Sequence, residues 1–166
     1  KTMGKLNYLK GDATNPVGDG KKVICHICNN IGGWGAGFVL ALSKKWAQPE
    51  KQYRKWYSLS EDTFPFKLGN VQFVPVENDI VVANMIGQHL TYPTKDSNGN
   101  LIPPIRYNAL EECLNKVAEY AEKNNCSVHM PKIGAGLAGG DWNRIEALIN
   151  RCLVDKGIPT YVYLFE

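Results

Sequence analysis

Two hydrophobic periods alternate along the chain. Leu6 to Lys10 and Val23 to Asn29 carry the apolar density of strands, and the second run, VICHICN, is apolar almost without interruption, as an inner strand covered on both faces must be. Phe38 to Trp46 predicts a short, largely apolar helix, and Pro49 suits the opening of a second, whose Gln52, Tyr53, Trp56 and Tyr57 share one side. Val71 to Val76 and Ile80 to Ile86 are strand-like runs joined by Glu77, Asn78 and Asp79, a hairpin signal that brings an antiparallel element into the sheet. Thr91 to Pro104, with its KDSNGN stretch and prolines, predicts a surface loop of unusual length and a lid candidate. From Arg106 the stripe Tyr107, Leu110, Leu114, Val117, Ala118, Ala121 is one face of an amphipathic helix ending near Asn124 and Asn125. Ser127 to Ile133 is again a strand. It leads into GAGLAGG (Gly134 to Gly140) and a helix with Trp142, Ile145, Leu148, Ile149 and Cys152 on one face, ending at Lys156 and Gly157. Ile158 to Phe165 closes the sheet.

Strand, glycine-rich loop, helix thus occurs twice. The expectation is a three-layer α/β/α sandwich on a mixed, mostly parallel central sheet of about six strands, with residues 1–166 forming one domain. Composition changes little in this picture. The apolar fraction of 44% is ordinary, and a formal charge of +3 without any long run of Lys or Arg points to no polyanionic partner and no direct sequence-specific nucleic-acid binding. No apolar stretch approaches a membrane span and the start KTMGKL lacks a signal-peptide core, so no membrane partner and a cytoplasmic location are expected. Cys25, Cys28, Cys113, Cys126 and Cys152 do not resemble a disulfide framework. Cys25 and Cys28 form a C-x-x-C without the second pair that a structural zinc site needs, and no metal or cofactor is expected.

The chemistry lies in the glycine loops. Glycine lets backbone N–H groups approach a ligand closely, and a helix start adds unpaired donors and partial positive charge, so both ICNNIGGWGAGF (Ile27 to Phe38) and GAGLAGG suit an anion. On neighbouring parallel strands they would flank one crevice, with a diphosphate as its natural occupant. Gly134, Gly136 and Gly139 satisfy G-x-G-x-x-G, but only one strand follows and no ribose-binding acid stands at a following strand end, which disfavours a nicotinamide-dependent oxidoreductase. No Walker sequence is present.

In this order and spacing, GDAT (Gly11 to Thr14), HICNN leading into GGWGAGF, VVANMIGQ and MPKIGAGLAGGDW resemble the macrodomain family of ADP-ribose-binding modules over nearly the whole chain. They resemble most the branch of the yeast-type ADP-ribose-1''-phosphate phosphatases, the chromatin-remodeller macrodomain and the terminal ADP-ribose protein glycohydrolase. The resemblance implies that Asp12 accepts from the adenine amino group, with the Ala13 backbone helping to hold the ring. Asn29 and the loop Gly33, Trp34, Gly35, Ala36, Gly37, Phe38 would hold the distal ribose and pyrophosphate from one side. Ile133, Gly134, Ala135, Gly136, Leu137 and Ala138 would close from the other, and Tyr163 and Leu164 would lie near adenine.

Two hydrolytic routes in related proteins lack their residues here. The first Asn of an Asn-Ala-Ala-Asn stretch is His26 and the glycine-loop Asp is Ala36; the lysine and Asp of the ester-opening route are Met85 and Ala138. What remains resembles the phosphatase. His26 lies on the strand face opposite Cys25 and Ile27 and is expected to transfer a proton to the leaving ribose oxygen, while Asp141 orients a water for attack on phosphorus. The implied partners are ADP-ribose or a derivative, including ADP-ribosylated protein or nucleic acid. The implied activity is phosphatase or de-ADP-ribosylating hydrolase, with a non-catalytic reader of ADP-ribose as the alternative.

Overall fold

The computed structural model describes residues 5–165. Eight strands and four helices follow in the order β1 (Leu6–Lys10), β2 (Lys21–Asn29), α1 (Phe38–Lys45), α2 (Gln48–Ser58), β3 (Val71–Glu77), β4 (Ile80–Gln88), β5 (Thr94–Lys95), β6 (Leu101–Ile102), α3 (Tyr107–Asn124), β7 (Cys126–Pro131), α4 (Trp142–Cys152) and β8 (Thr160–Leu164), with a 3-10 turn at Val154–Lys156. Six strands form one sheet in the order β1-β8-β7-β2-β4-β3. Every neighbouring pair is parallel except β3 and β4, the hairpin that the polar triplet between them predicts.

Both faces of the sheet are covered, which is why β2 is apolar almost throughout. On one face Cys25, Met85, Met130 and Val162 pack under Leu110 and Leu114 of α3 and Ile145 and Ile149 of α4. On the other, Ile24, Cys28, Val82 and Ile86 pack under Leu42 of α1 and Tyr53 and Trp56 of α2. Strand alternation therefore sends Cys25 and Cys28 into different cores, so the C-x-x-C spacing does not bring two thiols to one site. All five cysteines are buried free thiols.

Local signals set the ends of the elements. The Asp141 side chain caps α4 by accepting from the Asn143 amide at 3.0 Å, and Asn125 takes the left-handed conformation (φ 56°) that stops α3. Three expectations are corrected. β7 ends at Pro131, two residues before Ile133. The final helix stops at Cys152, and the residues up to Lys156 tighten into the 3-10 turn. The segment from Thr91 to Pro104 is not structureless: β5 and β6 pair, and the Asp96 carboxylate closes the tip by accepting from the amides of Asn98 and Asn100, each at 2.9 Å. Among the described residues no helix is long and apolar enough to cross a membrane.

Candidate functional site

The carboxyl ends of β1, β8, β7, β2 and β4 lie side by side, the edge at which open parallel sheets form a ligand crevice, and the segments that leave them make its rim. Asn29, the last residue of β2, builds the first glycine loop. Its Oδ1 accepts from the amides of Ile31 (3.1 Å) and Gly33 (2.9 Å) and from the Tyr53 hydroxyl (3.0 Å), while its Nδ2 donates to the Gly33 carbonyl (3.0 Å). Trp34 then dives into the core beneath the loop, donating from Nε1 to Ser43 Oγ at 2.7 Å and packing on His26 and Tyr53. With the loop pinned at both places, Gly35, Ala36 and Gly37 stand at the surface. The amides of Gly35, Ala36, Gly37 and Phe38 have no acceptor among the described residues, and Gly37 (φ 80°) opens α1, whose last turn carries Lys44 and Lys45.

The second loop is closed by its own backbone. The Gly140 amide donates to the Gly134 carbonyl (2.7 Å) and the Gly139 amide to the Gly136 carbonyl (3.0 Å), leaving the amides of Ala135, Gly136 and Leu137 without an acceptor among the described residues. A Cβ on Gly140 would stand 2.6 Å from the Gly134 oxygen, so this closure requires glycine. The two loops meet. A Cβ on Gly37 would lie 3.7 Å from Leu137 Cδ1, while Gly35 and Gly136 both look onto open space. Two sets of unpaired amides thus flank one opening without a Lys or Arg among the loop residues, an arrangement that recognises an anion by backbone dipoles.

At the β1 end, Asp12 Oδ1 accepts from the Thr14 amide and hydroxyl, both at 2.8 Å, while its Oδ2 has no partner among the described residues. Ala13 is buried in this turn. Leu164 is partly exposed beside it, its carbonyl accepting from the Gly11 amide.

Several residues expected to meet the ligand also hold the fold. Asn29 spends its side chain on the loop and Trp34 is 4% exposed. Ile133 belongs to the core, and Tyr163 is buried under the β1 loop with its hydroxyl accepting from the Val17 amide (2.9 Å) and bonded to His129 Nδ1 (2.7 Å). Gly134 is likewise enclosed by Ile27, Ile105 and Ile145, and the Ala138 carbonyl accepts from the Ile105 amide. Of the loop residues expected to meet the ligand, Gly35, Ala36, Gly37, Gly136 and Leu137 are exposed, and Phe38 and Ala135 are partly buried.

The expected catalytic pair is not assembled. His26 is buried at 2% exposure between Trp34 and Phe38 on the α1/α2 side of the sheet. Asn84 Nδ2 donates to the Pro49 carbonyl and to Gln72 Oε1, so its Oδ1 accepts from His26 Nε2–H at 2.6 Å and fixes the orientation of the ring. Burial pushes this imidazole down to about 4, against a smaller opposing effect of that hydrogen bond. Asp141 lies on the other side, at the start of α4, exposed, with its own amide donating to the Tyr107 hydroxyl at 2.9 Å. A sequence pattern cannot show that the two residues sit in different layers.

Asn30 and His89 also meet at the rim, a pairing that no spacing in the sequence signals. Asn30 Nδ2 lies 2.9 Å from His89 Nδ1, joining the first loop to the residue directly after β4. The signal available for His89 was its place at a parallel strand's carboxyl end, where ligand-facing residues gather.

No family model matches the chain. A solved macrodomain protein from Streptomyces coelicolor is 47% identical, covers 96% of this chain and 98% of its own, and superposes with a TM-score of 0.81. The mouse Chromodomain-helicase-DNA-binding protein 1-like is 35% identical over 96% of this chain, which spans only 18% of that relative's length. The ADP-ribose 1''-phosphate phosphatase of Candida albicans is 29% identical over 87% of this chain and 91% of its own. With the six-stranded mixed sheet, the paired glycine loops and this near-full-length match at 47% identity in agreement, the chain belongs to the macrodomain family.

Proposed function

We propose that the crevice binds ADP-ribose and that the protein hydrolyses a group on its distal ribose, as an ADP-ribose 1''-phosphate phosphatase or a de-ADP-ribosylating hydrolase working on modified protein or nucleic acid in the cytoplasm. Residues 1–166 form the one domain that does this. Adenine lies at the β1 and β8 end, with its amino group donating to the unpartnered Asp12 Oδ2. The diphosphate lies between the loops, accepting from the amides of Gly35 to Phe38 and of Ala135 to Leu137, and the distal ribose points toward β4. The observation that carries this reading is the facing pair of glycine loops with unpaired amides, joined at Gly37 and Leu137. Hydrolysis draws support from the name of the Candida albicans relative, which matches over nearly its whole length.

Asp141 is the carboxylate assigned to water. Its Oδ1 holds the helix cap while Oδ2 is without a partner among the described residues. His26 has no proton-transfer role in this proposal, because its ring is sealed and its Nε2–H is committed to Asn84. That same observation favours the second reading, a module that binds ADP-ribose without turnover.

Calorimetry with ADP-ribose tests binding: saturable 1:1 heat is expected, and none at millimolar ligand rejects the proposal. Incubation with ADP-ribose 1''-phosphate, and with protein carrying ester-linked ADP-ribose, then separates the enzyme, which releases phosphate or protein, from the reader, which releases neither.

A further inference from the structure

His89 is the first residue beyond β4, and in the sheet order β4 comes next after β2, whose carboxyl end carries the first glycine loop. A ligand with one end at Asp12 after β1 and its diphosphate between the β7 and β2 loops has its other end directed at His89. The ring is held in one orientation. Asn30 Oδ1 accepts from the Leu90 amide at 2.8 Å, which leaves Asn30 Nδ2 as the donor facing His89 Nδ1 at 2.9 Å. Nδ1 is therefore the acceptor, and the imidazole proton sits on Nε2. That Nε2–H has no partner among the described residues. Since no buried side-chain nitrogen or oxygen among them lacks one, Nε2 is open to solvent or ligand.

The backbone here is held against its own preference. Leu90 takes φ 63°, a left-handed conformation unfavourable for a branched side chain, and is kept there by its amide on Asn30 and by Gln88 Nε2 donating to its carbonyl at 2.9 Å. The His89 amide is also anchored, to the Pro104 carbonyl at 2.8 Å.

We infer that Asn30 and His89 form a specificity pair for the far end of the ligand, in which the oriented Nε2–H of His89 donates to an anionic oxygen on the distal ribose and so favours a terminal phosphate over a free hydroxyl. This rests on the ADP-ribose reading above. A donor fixed in place gains more from a charged acceptor than from a neutral one, by about a factor of two in hydrogen-bond strength. His89 is thus a ligand-binding residue, and Asn30 acts through it as a positioning residue.

The test compares ADP-ribose with ADP-ribose 1''-phosphate by calorimetry in the unmodified protein, in His89→Ala and in His89→Gln. His89→Ala is expected to lose about threefold in affinity for ADP-ribose, whose hydroxyl is a neutral acceptor, and about tenfold or more for the phosphate-bearing ligand, the loss typical of one hydrogen bond to a charged group. His89→Gln, which keeps an N–H donor, is expected to retain part of the preference. Retained ADP-ribose binding in the variant reports an intact site. An unchanged phosphate preference in His89→Ala overturns the inference while leaving the binding proposal standing, as does an equal loss for both ligands, which would make the pair a loop tether only. Failure of the unmodified protein to bind ADP-ribose overturns the underlying reading and this one with it.

Discussion

Three asparagines do three kinds of work around the crevice. Asn29 folds the first glycine loop, Asn30 orients His89, and Asn84, fully buried, satisfies His26. Each holds a side chain or a loop in place. Asn29→Ala is accordingly a structural change, leaving the amides of Ile31 and Gly33 without their acceptor, while the Tyr53 hydroxyl keeps the carbonyl of residue 29 at 2.6 Å. Asp141 allows a cleaner separation of roles, because Asn caps a helix about as well as Asp while Ala does not. Asp141→Asn is expected to keep thermal stability and lose turnover, whereas Asp141→Ala loses turnover and about 1 kcal/mol of stability. Phosphate release assays beside thermal melts check this, and full activity in Asp141→Asn would remove the carboxylate from the reaction. The buried rings make a second expectation. Burial pushes His26 down to about 4, and burial, with a smaller effect of Lys22, pushes His129 down to about 4, from an ordinary value of 6.5. Below pH 6.5 the unfolded chain binds protons that the folded protein refuses, so the stability present above that pH is lost progressively toward pH 4. At pH 5 the loss is roughly 2 kcal/mol per ring. Urea unfolding at pH 7.5 and pH 5 measures it; equal stabilities would show that the rings are not held neutral.

Among the elements, the second glycine loop shows that glycines in one motif serve different ends. Gly140 is demanded by packing, since a Cβ there would strike the Gly134 oxygen and Ile145. Gly136 faces open space at an ordinary backbone conformation, so the fold does not require it. Gly140→Ala is expected to lower both the melting temperature and ADP-ribose affinity. Gly136→Ala should leave the melting temperature within about 2 °C, the effect of a surface change below ~0.5 kcal/mol. It should still weaken ADP-ribose, because the new methyl group occupies the ligand's approach. Parallel melts and calorimetry separate the two, and unaltered affinity in Gly136→Ala would mean that the ligand does not pass over this loop. The β5–β6 arm has a comparable duality. Its tip is exposed, but its roots join both rims of the crevice: Leu90 bonds Asn30 beside the first loop, while Pro103 packs at Gly139 and Ile105 bonds Ala138 of the second.

Taken as a whole, the molecule places its two glycine loops on adjacent parallel strands but continues them into helices of opposite layers, α1 on one side and α4 on the other. A diphosphate held between them would tie the two layers together. Saturation with ADP-ribose at a hundredfold excess over Kd is therefore expected to add about 2.7 kcal/mol, or roughly 5–10 °C of melting temperature for a domain of this size. A thermal shift titration checks this, and a melting temperature independent of ligand would count against binding to the folded state. The sequence alone determined the order of the central-sheet strands and the four helices, the β3–β4 hairpin, the doubly covered β2 and both glycine loops, because each is written in local periodicity or in a residue type that a turn requires. It could not assign faces and partners across the fold. Whether Asn29, Trp34 and Tyr163 meet ligand or support the rim depends on Tyr53, Ser43 and His129, which are distant in sequence and brought near only by packing. For the same reason, His26 and Asp141 read as a pair along the chain and lie on opposite sides of the sheet, while Asn30 and His89, 59 residues apart, are a pair only in three dimensions.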